Sequence, residues 1–517
     1  GVNIRLEDIY STDETMSPME LWCNESQERY VFSIPKEKVP ALEHICERER
    51  CPFSIAGELT IDRLINVKFH NEQVVNLSLD HLFGDIPLPE LIAQDYNRVT
   101  EKEELPTKNL KKLIFNTIKY PAVASKKFLI TIGDRTVNGL VYRDQLIGNR
   151  QLPVSDYAAT LDNYDSYSGQ VFSIGEKPNI AIENPEASTR MALAESITNI
   201  CGVKHESLSK ICFSANWMSS TKKSDERGDL LRGVQSLSNM SDYLGLSIPV
   251  GKDSLSMNTS WNNKGSEHSV TSPMTLNISS FSNVSDLRES VTPELSTKNS
   301  TLLHVWINEG EFRLGGSSLY LSNNLFGGIT PDIEDPEKFK QLFEASQELL
   351  SKNLIEALHD ISDGGLITTL IEMSLCSNSG LDIRLDYSDK ESIIPKLFSE
   401  EVGYVIEIDD EKLIEVKENL TKRGLFFDEV GRKNINKEIN ILSFDDVLFS
   451  SSLNKLFDEW SSVSHKVQTI RDNIESAQSE KEVYKKWDEI ITPKIGFSIP
   501  SPNKNLFSKK PKIALLR

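Results

Sequence analysis

Two distant segments of the chain read as copies of one another. SQERYVFSIPKEKVPALEHICERERCPFSIAG (26–57) aligns without a gap on EEVGYVIEIDDEKLIEVKENLTKRGLFFDEVG (400–431), each residue meeting the one 374 positions further on. Tyr30-Val31 falls on Tyr404-Val405, Glu37-Lys38 on Glu411-Lys412, and Gly57 on Gly431. The same offset carries SLDHLF (78–83) onto SLNKLF (452–457), and GVNIRLED (1–8) resembles GLDIRLDY (380–387) after a five-residue adjustment. Each copy reads as a strand, an amphipathic helix and a Gly-terminated strand. A duplicated unit of this size requires the chain to build two related α/β bodies. In the second copy HDISDGG stands just before GLDIRL, whereas the first copy opens at GVNIRL. The expectation is a piece of a longer protein, with a related Asp/Gly helix mouth upstream. GVNIRLEDIY also lacks Met and the character of a signal peptide.

At 517 residues the chain is long enough for several domains with real cores. Its composition, 38% hydrophobic and 26% charged, is that of a globular protein. No run of eighteen apolar residues is present, so no membrane span is expected. A net charge of −20 disfavours nucleic acid, which needs a basic face, but leaves small anions open. The six cysteines form no CxxC, and CERERC (46–51) has the wrong spacing for a zinc knuckle. They read as free thiols of a reducing cytosol.

Between the copies lies a different unit. KKFLITIGDR (126–135) reads as a strand entering a turn. STRMALAESITNICG (188–202) reads as a helix, with Ser188 or Thr189 as cap and Gly202 as stop. Glu195 and Asn199 are one turn apart on it. Such oxygen donors suit Mg²⁺, which keeps positions free for phosphate; the alternative is an exposed Glu and an Asn bonded to nearby backbone. In HDISDGGLITTLIEMSL (359–375), Ser362 or Asp363 can cap a helix, and Gly364-Gly365 let N–H groups approach a ligand. An acid at that mouth repels phosphate unless a cation bridges them, which points to Asp360 as a metal ligand and Ser362 as a phosphate or nucleotide contact. Simple capping is the competing reading, and His359 reads as structural. IPVGKDSLSM (248–257) reads as a phosphate-loop-like turn without full Walker spacing, RLGGSSL (313–319) as a turn before a helix, and FSANWM (213–218) as packing.

WCNESQERY, CERERCPF, FLITIGDR, PVSDYAATLDNYDSYSGQ, ALAESITNI, SANWM, LSIPVGKDSLSM, RLGGSSL and HDISDGGL, in this order across nearly the whole chain, strongly resemble the phosphoribosylformylglycinamidine synthase family. The resemblance implies a mixed α/β (α+β) fold of tandem aminoimidazole-ribonucleotide-synthetase-like copies. Residues 1–97 would be the C-terminal half of a first copy truncated at its N-terminus, and 98–125 a linker. Residues 126–285 would be the barrel-forming N-terminal half of the second copy, and 298–450 its C-terminal α/β half. Residues 451–517 would be a helical linker ending in PKIALLR, the first strand of a glutaminase domain otherwise missing. The implied enzyme is an ATP-dependent carbon–nitrogen ligase of purine biosynthesis. It joins formylglycinamide ribonucleotide to ammonia from glutamine: ATP phosphorylates the amide oxygen and ammonia displaces phosphate, giving ADP. Carried over residue by residue, Asp156, Glu195, Asn199 and Asp360 match Mg²⁺ ligands of an auxiliary nucleotide site in copy two. Lys126, Ser155 and Ser362 match contacts to its ATP or ADP. No catalytic residue is assignable here, so these residues alone would be inactive. The alternative is a non-catalytic, nucleotide-stabilised scaffold of the same fold.

Overall fold

The computed structural model describes residues 1–484 except 26–28, 86, 89, 95–100, 137, 311 and 388–391; beyond 484 it describes only 494 and 496. The strand expected at PKIALLR lies outside the described residues. Two units are present, Gly1–Leu91 and Ile92–Arg517. In the first, β1 (Val2–Arg5), β2 (Gly57–Leu59), β3 (Leu64–Phe69) and β4 (Glu72–Ser78) form a sheet ordered β2-β1-β3-β4.

The second unit carries two larger sheets. β5 (Val141–Arg143), β6 (Ala158–Leu161), β7 (Gly169–Glu176), β8 (Cys212–Met218), β9 (Ser247–Ser254), the hairpin β10 (Asn258–Asn263)–β11 (Ser266–Thr271) and β12 (Thr275–Val284) follow in chain order. Hairpin apart, they pair as an open sheet ordered β5-β6-β7-β12-β8-β9. Then come β13 (Ser300–Trp306), β14 (Ala357–Asp360), β15 (Gly380–Arg384), β16 (Gly403–Asp409), β17 (Phe426–Asn434), β18 (Glu438–Ser443) and β19 (Asp446–Ser452), ordered β14-β16-β13-β17-β15-β18-β19.

The duplication is visible in register as well as in sequence. Val2 pairs Leu59 antiparallel and Ile65 parallel; Leu381 pairs Lys433 and Ile439 in the same two senses. A bulge falls at Val67/Lys68 in one hairpin and at Ile441/Leu442 in the other. Arg63 and Lys437 share a left-handed φ, 52° and 54°. Ser78 and Ser452 each cap the short helix that follows, Leu79–Leu82 and Leu453–Trp460. One element departs from the expected repeat. Tyr404 and Val405 are fully buried in β16, which lies between β13 and β14. Their counterparts Tyr30 and Val31 are 77% and 101% exposed and in no strand. A strand gains its hydrogen bonds from neighbours, and among the described residues the first unit has no counterpart of β13 or β14.

Within the seven-stranded sheet β13, β14 and β16 are buried on both faces, which is why they read as near-continuous apolar runs. Leu303, Val305, Tyr404 and Ile406 pack with the Pro185–Thr198, Ser224–Leu244 and Pro336–Ser351 helices. Leu302, Val405, Ile439 and Ile441 pack with the Leu110–Ile118, Gly365–Ser377 and Leu453–Trp460 helices. Three local expectations are corrected. The apolar run at 126–135 forms a one-turn helix, Lys127–Ile130, instead of a strand; the Phe128 N–H donates to Ser464 Oγ (3.4 Å) and its carbonyl accepts from Arg471 (2.6 Å), so the run docks on a helix. IPVGKDS forms strand β9, with Gly251 in the ladder opposite Ala215, instead of a turn. The helix over 188–202 begins earlier, at Pro185, because Asn184 accepts from the Ala187 N–H and caps it. Among the described residues no helix is long and apolar enough to cross a membrane.

His205 is buried, with its ring nitrogens 3.0 Å from Ser282 Oγ and 3.1 Å from the Ile200 carbonyl oxygen. Burial holds its pKa down to about 4, against a hydrogen bond to Ile200 that raises it. The native state therefore refuses a proton that the unfolded chain accepts near pH 6.5, so stability contributed above that pH is lost as pH falls toward 4. Urea unfolding of wild type and His205→Gln between pH 7 and 4 should show the wild type losing roughly 3 kcal/mol more than the variant; parallel losses would contradict the assignment.

Candidate metal and nucleotide site

Three chain segments bring carboxylates to the junction of the two sheets. Asp156 precedes β6, Glu195 rides the Pro185–Thr198 helix, and Asp360 ends β14. The helix reaches its place because β7 offers it a glycine: a Cβ on Gly175 would stand 2.2 Å from the Ala192 carbonyl oxygen and 2.4 Å from the Ser196 nitrogen. Glu195 Oε2 then accepts the Glu176 N–H at 2.7 Å.

The mouth of the Gly365–Ser377 helix answers why two glycines follow the acids. Gly364 and Gly365 have φ of 90° and 69°, and a Cβ would meet Thr368 Oγ1 at 2.2 Å on the first or the Ser399 carbonyl oxygen at 2.6 Å on the second. Gly364 is itself the N-cap, and no side chain caps this helix, so Ser362 and Asp363 are not caps. Ser362 Oγ instead donates to Glu195 Oε1, and Asp363 Oδ1 accepts from Lys177 at 2.8 Å. The Gly364 N–H donates to Glu400 Oε1 at 2.8 Å, as does the Ser318 N–H.

Asp156 and Asp360 side chains are 5% and 4% exposed. His359 Nδ1 lies 2.7 Å from Asp156 Oδ1 and 3.7 Å from Asp360 Oδ1, while Nε2 lies 3.1 Å from Glu372 Oε2. Glu372 is held in turn by the Trp460 indole N–H at 3.0 Å. Burial pulls the His359 pKa down, but Asp156 and Glu372 together carry it well above its ordinary value. Burial, followed by repulsion from Asp156, pushes Asp360 well above the carboxylate range. Asp360 Oδ2 is buried without a hydrogen-bond partner. Asp156, His359 and Asp360 offer ligand atoms within 4.8 Å of one another. A buried carboxylate oxygen left unpaired, beside other hard oxygen donors, fits a hard divalent cation.

The other expected residues stand around this core. Asn199 follows Glu195 by one turn, and its amide donates to the Ile174 carbonyl at 2.9 Å. Ser155 Oγ donates to the Tyr157 carbonyl at 2.7 Å. Lys126 Nζ donates to the carbonyls of Ala122 (2.8 Å) and Ala124 (2.6 Å). Burial pulls its ammonium below the ordinary lysine range, against the attraction of Glu372 and Asp363. Sequence reasoning missed Lys177, Glu372 and Glu400. Lys177 lies between a strand and a proline-initiated helix, and only tertiary packing shows that its side chain turns inward.

Two family models match the chain. The FGAR-AT PurM_N-like domain matches residues 125–283, and the AIR synthase related protein C-terminal domain matches 1–69 and again 307–441. A curated relative, the phosphoribosylformylglycinamidine synthase of Schizosaccharomyces pombe, is 36% identical over 545 residues, taking in 100% of this chain and 41% of that protein. The chain belongs to the phosphoribosylformylglycinamidine synthase family. It spans less than half the length of this curated relative. A Thermotoga maritima PurL structure complexed with FGAR shares the fold, at a TM-score of 0.50 and 15% identity over 68% of this chain and 54% of that one. Within this synthase family's domain pattern, Asp156, Lys177 and Glu195 come from the PurM_N-like part, and Asp360, Ser362 and Glu400 from the C-terminal-type part. The site thus depends on how these two parts pack.

Gly175→Ala tests that dependence. The added methyl must push the Glu195-bearing helix off β7, so urea unfolding should show a loss of about 1–3 kcal/mol; unchanged stability would mean that the close approach is not required.

Proposed function

We propose that this chain is part of the synthase core of an ATP-dependent, glutamine-using phosphoribosylformylglycinamidine synthase. The whole enzyme would convert formylglycinamide ribonucleotide, ATP and glutamine-derived ammonia to the amidine, ADP, phosphate and glutamate. The identity to the Schizosaccharomyces pombe synthase along the full chain supports this reading. Within it, Asp156, Glu195 and Asp360 hold Mg²⁺ with Asn199 beside them, and Lys126, Ser155 and Ser362 face an ATP or ADP. A Mg²⁺ bound there supplies charge neutralisation for phosphate oxygens. The chain's own residues orient the ligand: the left-handed Gly364-Gly365 turn leaves the Ser362 and Asp363 side chains free for the site, and the Lys126 ammonium, attracted by Asp363, adds positive charge.

The observation that carries the proposal is the unpartnered, buried Asp360 Oδ2, on a carboxyl group whose charge Asp156 and Glu195 both repel. A buried carboxylate in that position is destabilising unless a cation joins it. Its occlusion supports a clamp that retains nucleotide over a site that turns it over. We place such an enzyme in the cytoplasm, where its six cysteines would stay free thiols.

Asp156→Asn and Asp360→Asn each remove one charged ligand. Equilibrium dialysis with ADP and Mg²⁺ should show affinity falling about tenfold or more. The metal-free Tm of Asp360→Asn should hold or rise, since like-charge repulsion is relieved, whereas Asp156→Asn also breaks the pair with His359 and should lower it. Affinity equal to wild type in both variants would contradict the metal assignment.

A further inference from the structure

The site contains a fixed ammonium that the family-based assignment does not use. Lys177 Nζ lies 3.0 Å from Glu195 Oε1, 2.8 Å from Asp363 Oδ1 and 3.2 Å from Ser362 Oγ, and its side chain is 3% exposed. An ammonium has three protons and no acceptor, so these three oxygens account for its full donor capacity. Its backbone is also fixed, since its carbonyl accepts from Ser188 Oγ at 2.6 Å. Two of the three partners, Glu195 and Ser362, are the groups assigned above to metal and nucleotide.

The surrounding charge shows what the ammonium does. Asp363, Glu195 and Glu400 all attract it. On the far side of the site Asp360 Oδ2 has no partner. Glu195, Asp363 and Asp156 are thus answered from within the chain by Lys177 and His359, and one Asp360 oxygen is not. Glu195 Oε2 is held by the Glu176 N–H at 2.7 Å and Oε1 by Lys177 at 3.0 Å, so a divalent cation that takes Oε1 as a ligand competes with the ammonium for it.

We propose that Lys177 is a built-in counter-cation that neutralises Glu195 while no metal is bound and is displaced toward Asp363 when a divalent cation takes Glu195 as a ligand. This rests on the metal reading above. Lys177 is accordingly a positioning residue, and it sets cation affinity by competition: the site stays folded without metal and binds metal less tightly than its carboxylates alone would allow.

The test is Mn²⁺ alone, without nucleotide, titrated into the full chain and followed by the electron paramagnetic resonance of free Mn²⁺. Wild type, Lys177→Met and Lys177→Arg are compared, with thermal unfolding in chelator and in excess Mg²⁺. Lys177→Met should bind Mn²⁺ about tenfold more tightly, lose Tm in chelator, and regain it in Mg²⁺ by a larger shift than wild type. Lys177→Arg, which keeps the charge, should stay near wild type. If Lys177→Met is unfolded in chelator, recovery of native circular dichroism on adding Mg²⁺ supports the proposal and failure to recover overturns it. Wild-type-like or weaker Mn²⁺ binding in Lys177→Met overturns it while leaving the metal site standing. Absence of Mn²⁺ binding in all three proteins overturns both readings.

Discussion

Everything about this site follows from carboxylates buried at the junction of two sheets. Removing a carboxylate from water costs several kcal/mol unless another charge answers it. Lys177 answers Glu195 and Asp363, and two backbone N–H groups answer Glu400. His359 stands between Asp156 and Glu372. Asp360 keeps one oxygen unanswered. The close contact of the Pro185–Thr198 helix with Gly175, and the left-handed turn at Gly364-Gly365, hold these groups at hydrogen-bonding range. The packing thus leaves one charge imbalance, at Asp360, which on the proposed reading a divalent cation corrects.

The duplicated fold explains where this imbalance sits. Both copies share the four-strand motif down to its bulge and its left-handed turn residues. Only the second copy adds β13, β14 and β16 in the described residues, and Asp360 ends β14. The motif itself is shared, and Asp360 lies on one of the strands set beside it. The exposed Tyr30 and Val31 show the same rule from the other side: an apolar run of β-type sequence stays outside a sheet when no neighbouring strand receives it.

Much of this was legible in the sequence, for identifiable reasons. The repeat was legible because turn and cap residues act locally; Ser78 and Ser452 cap their helices through their own next residues. Glu195, Asp360 and Ser362 stood out as oxygen donors beside helix or turn signals, Asp156 entered only through the family resemblance, and the structure sets Ser362 against Glu195 and Asp156 beside Asp360. Lys177 and Glu400 did not stand out, because a buried ion pair is set by tertiary packing and leaves no periodic signal. The run at 126–135 has the composition of a strand, yet docking on a distant helix decides its conformation. Ser362 and Asp363 had the residue types of caps, but the left-handed Gly364 takes that position and frees both side chains for the site.

The most direct measurement is anomalous diffraction from crystals of this protein grown with Mn²⁺ and ADP. The account predicts a Mn²⁺ peak within about 2.5 Å of oxygens from Asp156, Glu195 and Asp360, with nucleotide phosphate beside Ser362. Ordered ADP or Mn²⁺ elsewhere, with these three carboxylates unliganded at saturating concentrations, would contradict it.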